Sequence, residues 1–532
     1  MGLFDKKQEQ EEETVNFQPK NKTVSTIYGR AITTAKNAQE ELYFTPPRLN
    51  PVDYINRDRK QLFYGFEHTK DGIKPIYLPE NEVTMQLLIG TTGAGKGILL
   101  GNFLFEKIQK REGVIVIDPK MDAFMGQIAK EELAKQGRPN DLLIANFPTD
   151  FCYSGINKDD TYSDIANKLI DAFGLEETGN PGVDYFRKNE RVMLKKVLKL
   201  FFNGGLGEII PKDLNKIAEA IVTLSQDLKK KNTFEEEMGK TKPNMALIKK
   251  TQDRYFDADK IEALNFVKKD VDTLESLATS FDEFVSSANI SSKINLDEAL
   301  YEGKVVYLKI DMLDIASLKF AKICITDAIQ KARRKLPSTK IWIISDEISF
   351  YANKTLAGAL ATTRGFNLNF ILALQDIAQM ADESIRNAIL SNVNVKIFYK
   401  PSDKTTLEYL EQLGGKEAVT KISKKENDLT ISQDTEYIYN TTRVRALPRA
   451  GVAVMVSEFW ATPKIIQTNF IAVSHPFKWE ELEDYKKVEE FEIKHQTKED
   501  IANKLAKYRQ KVKGVGELVP GLLCIDFENE KL

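Results

Sequence analysis

Apolar residues along this chain fall into two textures. In the first, short unbroken runs end in polar residues: Met85 to Ile89, Val114 to Ile117, residues 141–147, 304–310, 340–345 and 369–374. Runs of this length, rich in β-branched residues, predict strands buried on both faces of a parallel sheet. Further runs at 393–399, 451–456 and 465–472 predict that the sheet is large. The second texture occupies about Ser163 to Ser292, where the spacing becomes helical. Ile165, Leu169 and Phe173 share a face, as do Leu214, Ile217, Ile221 and Leu224, and Leu274, Leu277, Phe281 and Phe284. Glycine-rich breaks at Gly179 to Gly182 and Gly204 to Gly207 punctuate this stretch. The predicted class is α/β, with a mainly parallel sheet interrupted by an all-α insertion.

Domain boundaries follow from these changes of texture. Residues 1–23, dominated by Gln, Glu and Lys, read as a disordered charged arm. Residues 24–162 hold a strand-and-loop lead-in and the first part of the α/β core. Residues 163–292 form the inserted all-α domain, 293–475 the second part of the core, and 476–532 a C-terminal helical appendage with a charged helix at Thr497 to Val512.

Composition narrows the classes. The chain has 532 residues, with 76 Lys and Arg against 78 Asp and Glu, so any basic surface must be local. Lysines concentrate at Asp227 to Asn232 and Lys240 to Lys250. A solvated helix face is the preferred reading there, and a surface for DNA or protein cargo the rival. Cys152, Cys324 and Cys524 lie far apart, which suits a reducing cytosol. His68, His475 and His495 are scattered, so no Cys/His metal site is visible. No apolar stretch reaches the roughly 18 to 20 residues needed to cross a bilayer. The expectation is a cytoplasmic protein with no membrane span of its own, held at the inner membrane only through partners.

The chemistry begins after the strand at Met85. Gly90-Thr91-Thr92-Gly93-Ala94-Gly95-Lys96-Gly97 precedes an apolar helix to about Gln109. Strand, glycine-rich turn, lysine and helix make a phosphate-binding loop. Glycines let successive amides turn inward, and the helix start adds free N–H groups. Lys96 reaches the β- and γ-phosphates of a nucleotide. Gly97 stands where Ser or Thr usually offers Mg²⁺ a hydroxyl. Two later strands end in polar residues. Asp118-Pro119-Lys120 is either near the nucleotide or a solvated turn. Asp346-Glu347 supplies a water-mediated Mg²⁺ ligand at Asp346 and a general base at Glu347. Gln375, ending the 369–374 run, senses the γ-phosphate or caps a buried backbone group. Arg364 is either a finger reaching a neighbouring subunit's nucleotide or a plain surface residue.

Taken in order, these pieces resemble the type IV coupling proteins, the TraG/TraD-type conjugation ATPases of the FtsK/HerA motor group. The similar stretches are Leu88 to Lys96, Asp118-Pro119-Lys120, Ile344-Ser345-Asp346-Glu347, Arg364 to Gln375 with Gln379, Ile389 to Asn392, and Ser402-Asp403 before Gly414-Gly415. The resemblance spans roughly residues 75 to 475. It implies a RecA-like P-loop NTPase core using ATP and Mg²⁺. It also implies a hexameric ring that recruits DNA with its relaxase, or effector proteins, for a type IV secretion channel. The helical insert then corresponds to the family's all-alpha domain, which helps choose cargo. Three departures stand out: Gly97; Met121, where the family commonly has Gly; and the missing N-terminal transmembrane pair. Two other readings are carried forward. One is a nucleotide-gated receptor with little turnover, and the other a soluble FtsK/HerA-like translocase outside secretion.

Overall fold

The computed structural model describes residues 49–479, except 56–59, 70–71, 123, 204–209, 241–269, 426–427 and 449–450. The expectations for the 1–23 arm, the 497–512 helix and residues 241–250 lie outside these residues. The described chain forms two units.

The first unit is built on an eleven-stranded sheet. Its strands are β1 (Gln61–Thr69), β2 (Gly72–Pro79), β3 (Met85–Gly90), β4 (Gly113–Asp118), β5 (Leu142–Asn146), β6 (Val305–Lys309), β7 (Ile341–Ser345), β8 (Leu368–Leu374) and β9 (Val395–Tyr399). A hairpin apart from the sheet, β10 (Lys416–Lys425) and β11 (Asp428–Tyr437), follows; β12 (Val452–Ser457) and β13 (Lys464–Gln467) then return to it. The order is β2-β1-β13-β12-β9-β3-β8-β7-β4-β6-β5. From β9 to β6 every pairing is parallel. These are the strands that the continuous apolar runs predict, and β3, β4, β7 and β8 are buried at every position. Parallel strands need covering on both faces, which is why their sequences do not alternate.

The other half of the sheet is antiparallel. β9 pairs β12, β12 pairs β13, β13 pairs β1, and β1 pairs β2. The lead-in is thus a hairpin added to the sheet edge. The run expected at 465–472 is a strand only to Gln467. The chain turns at Thr468, whose amide and hydroxyl both donate to the Gly451 carbonyl, at 2.8 and 2.9 Å. The β10–β11 ribbon is not anticipated by the apolar pattern.

Helix α1 (Lys96–Gln109) packs Leu99, Leu100, Phe103, Leu104 and Ile108 into the core. Near its C-terminus Lys107 is fully buried, pairing with Glu80 and lying 3.4 Å from Glu112. Its ammonium stands 4.0 Å from the centre of the Trp342 ring, whose indole N–H donates to Glu112 at 2.8 Å. Burial pushes against the Glu80 charge, but Lys107 and Lys110 hold its carboxyl down to about 2. This ion cluster sits where β4 and β7 begin, at the end of the sheet opposite the phosphate loop.

The second unit comprises 146–295 and 314–327. Its described helices include α3 (Tyr162–Phe173), α4 (Pro181–Asn203), α5 (Leu214–Met238) and α6 (Asp270–Ser286), following α2 (Met125–Lys135) of the first unit. Helix α3 starts in a capping box: Thr161 accepts from the Asp164 amide and Asp164 accepts from the Thr161 amide. The periodic faces meet as the spacing requires, with Phe173 packed 4.8 Å from Phe281 and 5.4 Å from Phe284, ring centre to ring centre. Beneath them Lys168 is completely buried between Asp160 at 2.6 Å and Asp327 at 2.7 Å. Tyr153 and Asn157 donate to the same Asp327 carboxylate, at 2.9 and 2.8 Å, so the buried ion pairs are also hydrogen-bonded.

Candidate functional site

β3 leaves the sheet between β8 and β9, with Ile89 opposite Leu374 and Gly90 opposite Tyr399. The chain turns through Thr91 to Gly95 and enters α1. Gly95, at φ +119°, is the position before the helix. A Cβ there would lie 2.7 Å from both the Cα and the amide nitrogen of Gly451, so only glycine fits. The Gly451 amide donates to the Ala94 carbonyl at 3.0 Å and fixes the loop from behind. Unlike α3, helix α1 has no side-chain cap. Its first amides and the positive end of its dipole are left for an anion. Lys96 folds over this loop, donating to the Gly90 carbonyl and to Thr91 at 3.3 Å. Burial, then Lys120, lowers its pKa, while Asp346, Glu347 and Asp376 act in the opposite sense.

The Asp-Glu pair follows β7. The Asp346 amide donates to Ile117 at 3.2 Å and its carbonyl accepts from Tyr351 at 2.6 Å, so both sides of the turn are pinned. Glu347 takes φ +51°, a left-handed conformation unusual for a side chain of this size. Its Oε1 accepts from the Gln375 amide and from Ser349 Oγ, each at 3.1 Å. Its Oε2 lies 2.6 Å from Lys120 Nζ, which is also 3.2 Å from Asp346 Oδ2. Burial would raise the Glu347 pKa, but Lys120 and the bonds from Gln375 and Ser349 hold it below the ordinary value. Burial opposes the Lys120 charge, yet Asp346 and Glu347 raise its pKa overall.

Asp118 is fully buried under this site. It accepts from Tyr307 Oη and the Asp122 amide, both at 2.7 Å, and from the Lys120 amide at 2.9 Å. Burial pushes its pKa up to about 6. Its carboxylate therefore organises the 118–122 loop. Met121 in that loop has φ +55°, the conformation that a glycine adopts without strain. Asp122 Oδ1 accepts from the Phe124 and Met125 amides at the start of α2, each at 2.7 Å. Its Oδ2 lies 3.3 Å from where a Cβ on Gly97 would stand.

The structure thus gathers the Gly90 to Gly97 loop, Lys96, Asp346, Glu347 and Gln375 at the C-terminal ends of parallel strands, where open α/β sheets hold ligands. Gln375 acts there on Glu347 rather than standing alone. Arg364 is not brought to this place. It lies in the short 3₁₀ turn Thr363–Phe366 before β8, at the other end of the sheet. Sequence reasoning missed Asp122, Tyr307, Ser349 and Gly451. Only Asp122 carried a signal, four residues beyond Asp118 on the same loop. Among the described residues no group of three or more His, Cys, Asp or Glu forms a closed metal site. The oxygen donors Asp346 and Asp122 suit Mg²⁺, which takes one or two carboxylates and completes its shell with phosphate and water. Among the described residues no helix is long and apolar enough to cross a membrane.

The fold is similar to solved structures of coupling proteins. The bacterial conjugative coupling protein TrwBdeltaN70, in an unbound form, superposes with a TM-score of 0.54 at 14% identity, over 79% of this chain and 90% of that one. Plasmid coupling protein TrwB in complex with ADP and Mg²⁺ gives a TM-score of 0.54 at 14% identity, over 81% and 98% of the two chains. TrwB with the non-hydrolysable GTP analogue GDPNP gives 0.53 at 13% identity, over 79% and 92%. At such identities the likeness establishes the RecA-like P-loop architecture alone. A comparison with curated protein sequences returned no match. The decisive match is that of residues 72–465 to the family model for the type IV secretion-system coupling protein DNA-binding domain. It takes in both halves of the sheet and the helical insert between them, and by it the chain belongs to the type IV secretion-system coupling protein family.

Proposed function

We propose that this protein is an ATP-hydrolysing coupling motor that recruits DNA with its relaxase, or protein cargo, and drives it into a type IV secretion channel. The observation that carries the reading is that the Gly90 to Gly97 loop with Lys96, after β3, and Asp346 with Glu347, after β7, stand at the same C-terminal end of the parallel strands. The loop amides and Lys96 bind the phosphates. Mg²⁺, when bound, neutralises charge on the phosphate oxygens. Asp346, through water, is the side chain that would hold it. Glu347, kept ionised by Lys120, accepts the proton of the attacking water, and Gln375 fixes its carboxylate. Most of the rate enhancement then comes from positioning and charge. Arg364, before β8, serves a neighbouring subunit's nucleotide in a hexameric ring. The helical unit selects cargo, and partners hold the assembly at the inner membrane.

A second reading has its own support. Gly97 offers no hydroxyl, and the Lys120–Glu347 pair restrains the base, as a nucleotide-gated receptor with little turnover would. One experiment separates the two: ATP hydrolysis with and without DNA, for the parent, Lys96→Ala and Glu347→Gln. A motor gives DNA-stimulated turnover, lowered about a hundred- to ten-thousandfold in Glu347→Gln and lost in Lys96→Ala. ATP binding that Lys96→Ala abolishes, with no turnover by the parent, sinks the motor and leaves the receptor.

A further inference from the structure

Residue 97 is the position from which the first turn of the helix after a phosphate loop ordinarily offers a hydroxyl, and here it has no side chain. The space is not vacant. Asp122 Oδ2 comes within 3.3 Å of where a Cβ would stand, so a carboxylate oxygen lies beside the place a Ser side chain would enter. We propose that Asp122 replaces that missing hydroxyl and supplies the Mg²⁺ ligand from the loop after β4 instead of from α1. This inference rests on the nucleotide-binding reading given above.

The two oxygens of Asp122 divide their tasks. Oδ1 accepts from the Phe124 and Met125 amides, each at 2.7 Å, which anchors the side chain. Oδ2 has no hydrogen-bond partner among the described residues, and it is the oxygen turned to Gly97. The loop is further fixed by the Asp122 amide donating to Asp118 at 2.7 Å. Lys120 pairs with Asp346 and Glu347, and among the described residues no cation pairs with Asp122. A Cβ at 97 would crowd Asp122 Oδ2, which reaches this place from the loop after β4. An added Ser there would contest the space.

The test is calorimetric titration of the full chain with ATP, in EDTA and in Mg²⁺. The parent is expected to bind more tightly with Mg²⁺. Asp122→Asn keeps the cap acceptor and removes the anion. It should lose a roughly ten- to hundredfold gain from Mg²⁺, the range that even outer partners of metal ligands command. In EDTA it should bind ATP as tightly as the parent or more so, since a negative group near the phosphates is gone. A misfolded variant would not do this. Adding Gly97→Ser to Asp122→Asn should restore the Mg²⁺ gain. An Asp122→Asn protein with the parent's full Mg²⁺ gain overturns the inference and leaves the nucleotide-binding reading intact, as does a parent with no Mg²⁺ gain. A parent that binds ATP in neither condition overturns both.

Discussion

Lys120 Nζ lies 2.6 Å from Glu347 Oε2, joining the ends of two strands, β4 and β7, that are neighbours in the sheet. The pair sets the charge of the proposed base. Burial by itself raises the Glu347 pKa, and Lys120 reverses that. In Lys120→Gln the downward pull is gone, so the folded-state pKa rises. Activity that needs ionised Glu347 then appears only at higher pH. The acidic limb of the kcat/KM profile for ATP hydrolysis should move upward, and a limb that stays in place would show that Lys120 does not govern this carboxylate.

Met121 holds a left-handed backbone conformation at φ +55° with its side chain 48% exposed. An L side chain in that conformation carries a penalty of roughly 1–2 kcal/mol, from which the greater freedom of glycine in the unfolded chain subtracts about half. Little packing is lost by removing an exposed side chain. Met121→Gly should therefore stabilise the protein by about 1 kcal/mol, read as a higher urea midpoint at unchanged slope. A lower midpoint would mean that the side chain itself holds the loop.

Asp118 should reveal itself through pH. Its pKa rises on folding from 3.8 to about 6 because of burial. The folded state therefore binds the proton more tightly than the unfolded one, and stability falls as pH climbs through that window. Asp118→Asn has no such proton. The parent's stability relative to Asp118→Asn should decline by roughly 3 kcal/mol in all between about pH 3 and pH 7, most of it between pH 4 and pH 6, and level off above, at 1.36 kcal/mol per unit of pKa. Denaturant unfolding of both proteins across this range is the check, and a pH-independent difference would contradict it.

Much of the fold is legible in the chain because central parallel strands must be apolar throughout. Val114 to Ile117, Ile341 to Ile344 and the run to Leu374 announce themselves for that reason. The β10–β11 ribbon pairs Lys421 with Ser432 and Thr420 with Gln433, polar residues that no buried-strand pattern selects. The assembled part of the site was also legible, since loop, lysine and Asp-Glu pair each sit at a strand end. What escaped was contributed across the sequence. Tyr307 meets Asp118 from the middle of β6, and Gly451 meets Gly95 only because their backbones touch. A close approach between two glycines leaves no mark on either stretch read alone. Asp118 looked like a ligand because its strand aims it at the crevice; the burial that turns it into a support depends on its neighbours.

The sheet order also governs how the protein can be made. β3 emerges early from the ribosome, yet its two partners are β8 and β9, and Met85 pairs with Phe370. Until those strands are synthesised, the strand that carries the phosphate loop has both edges open, a state prone to wrong pairing. The helical unit, whose contacts are mostly local, emerges in between and has time to fold first. A nascent chain halted before β8 would then carry a finished helical unit and no seat for nucleotide, so a truncated product would keep one unit of the protein without the chemistry of the other.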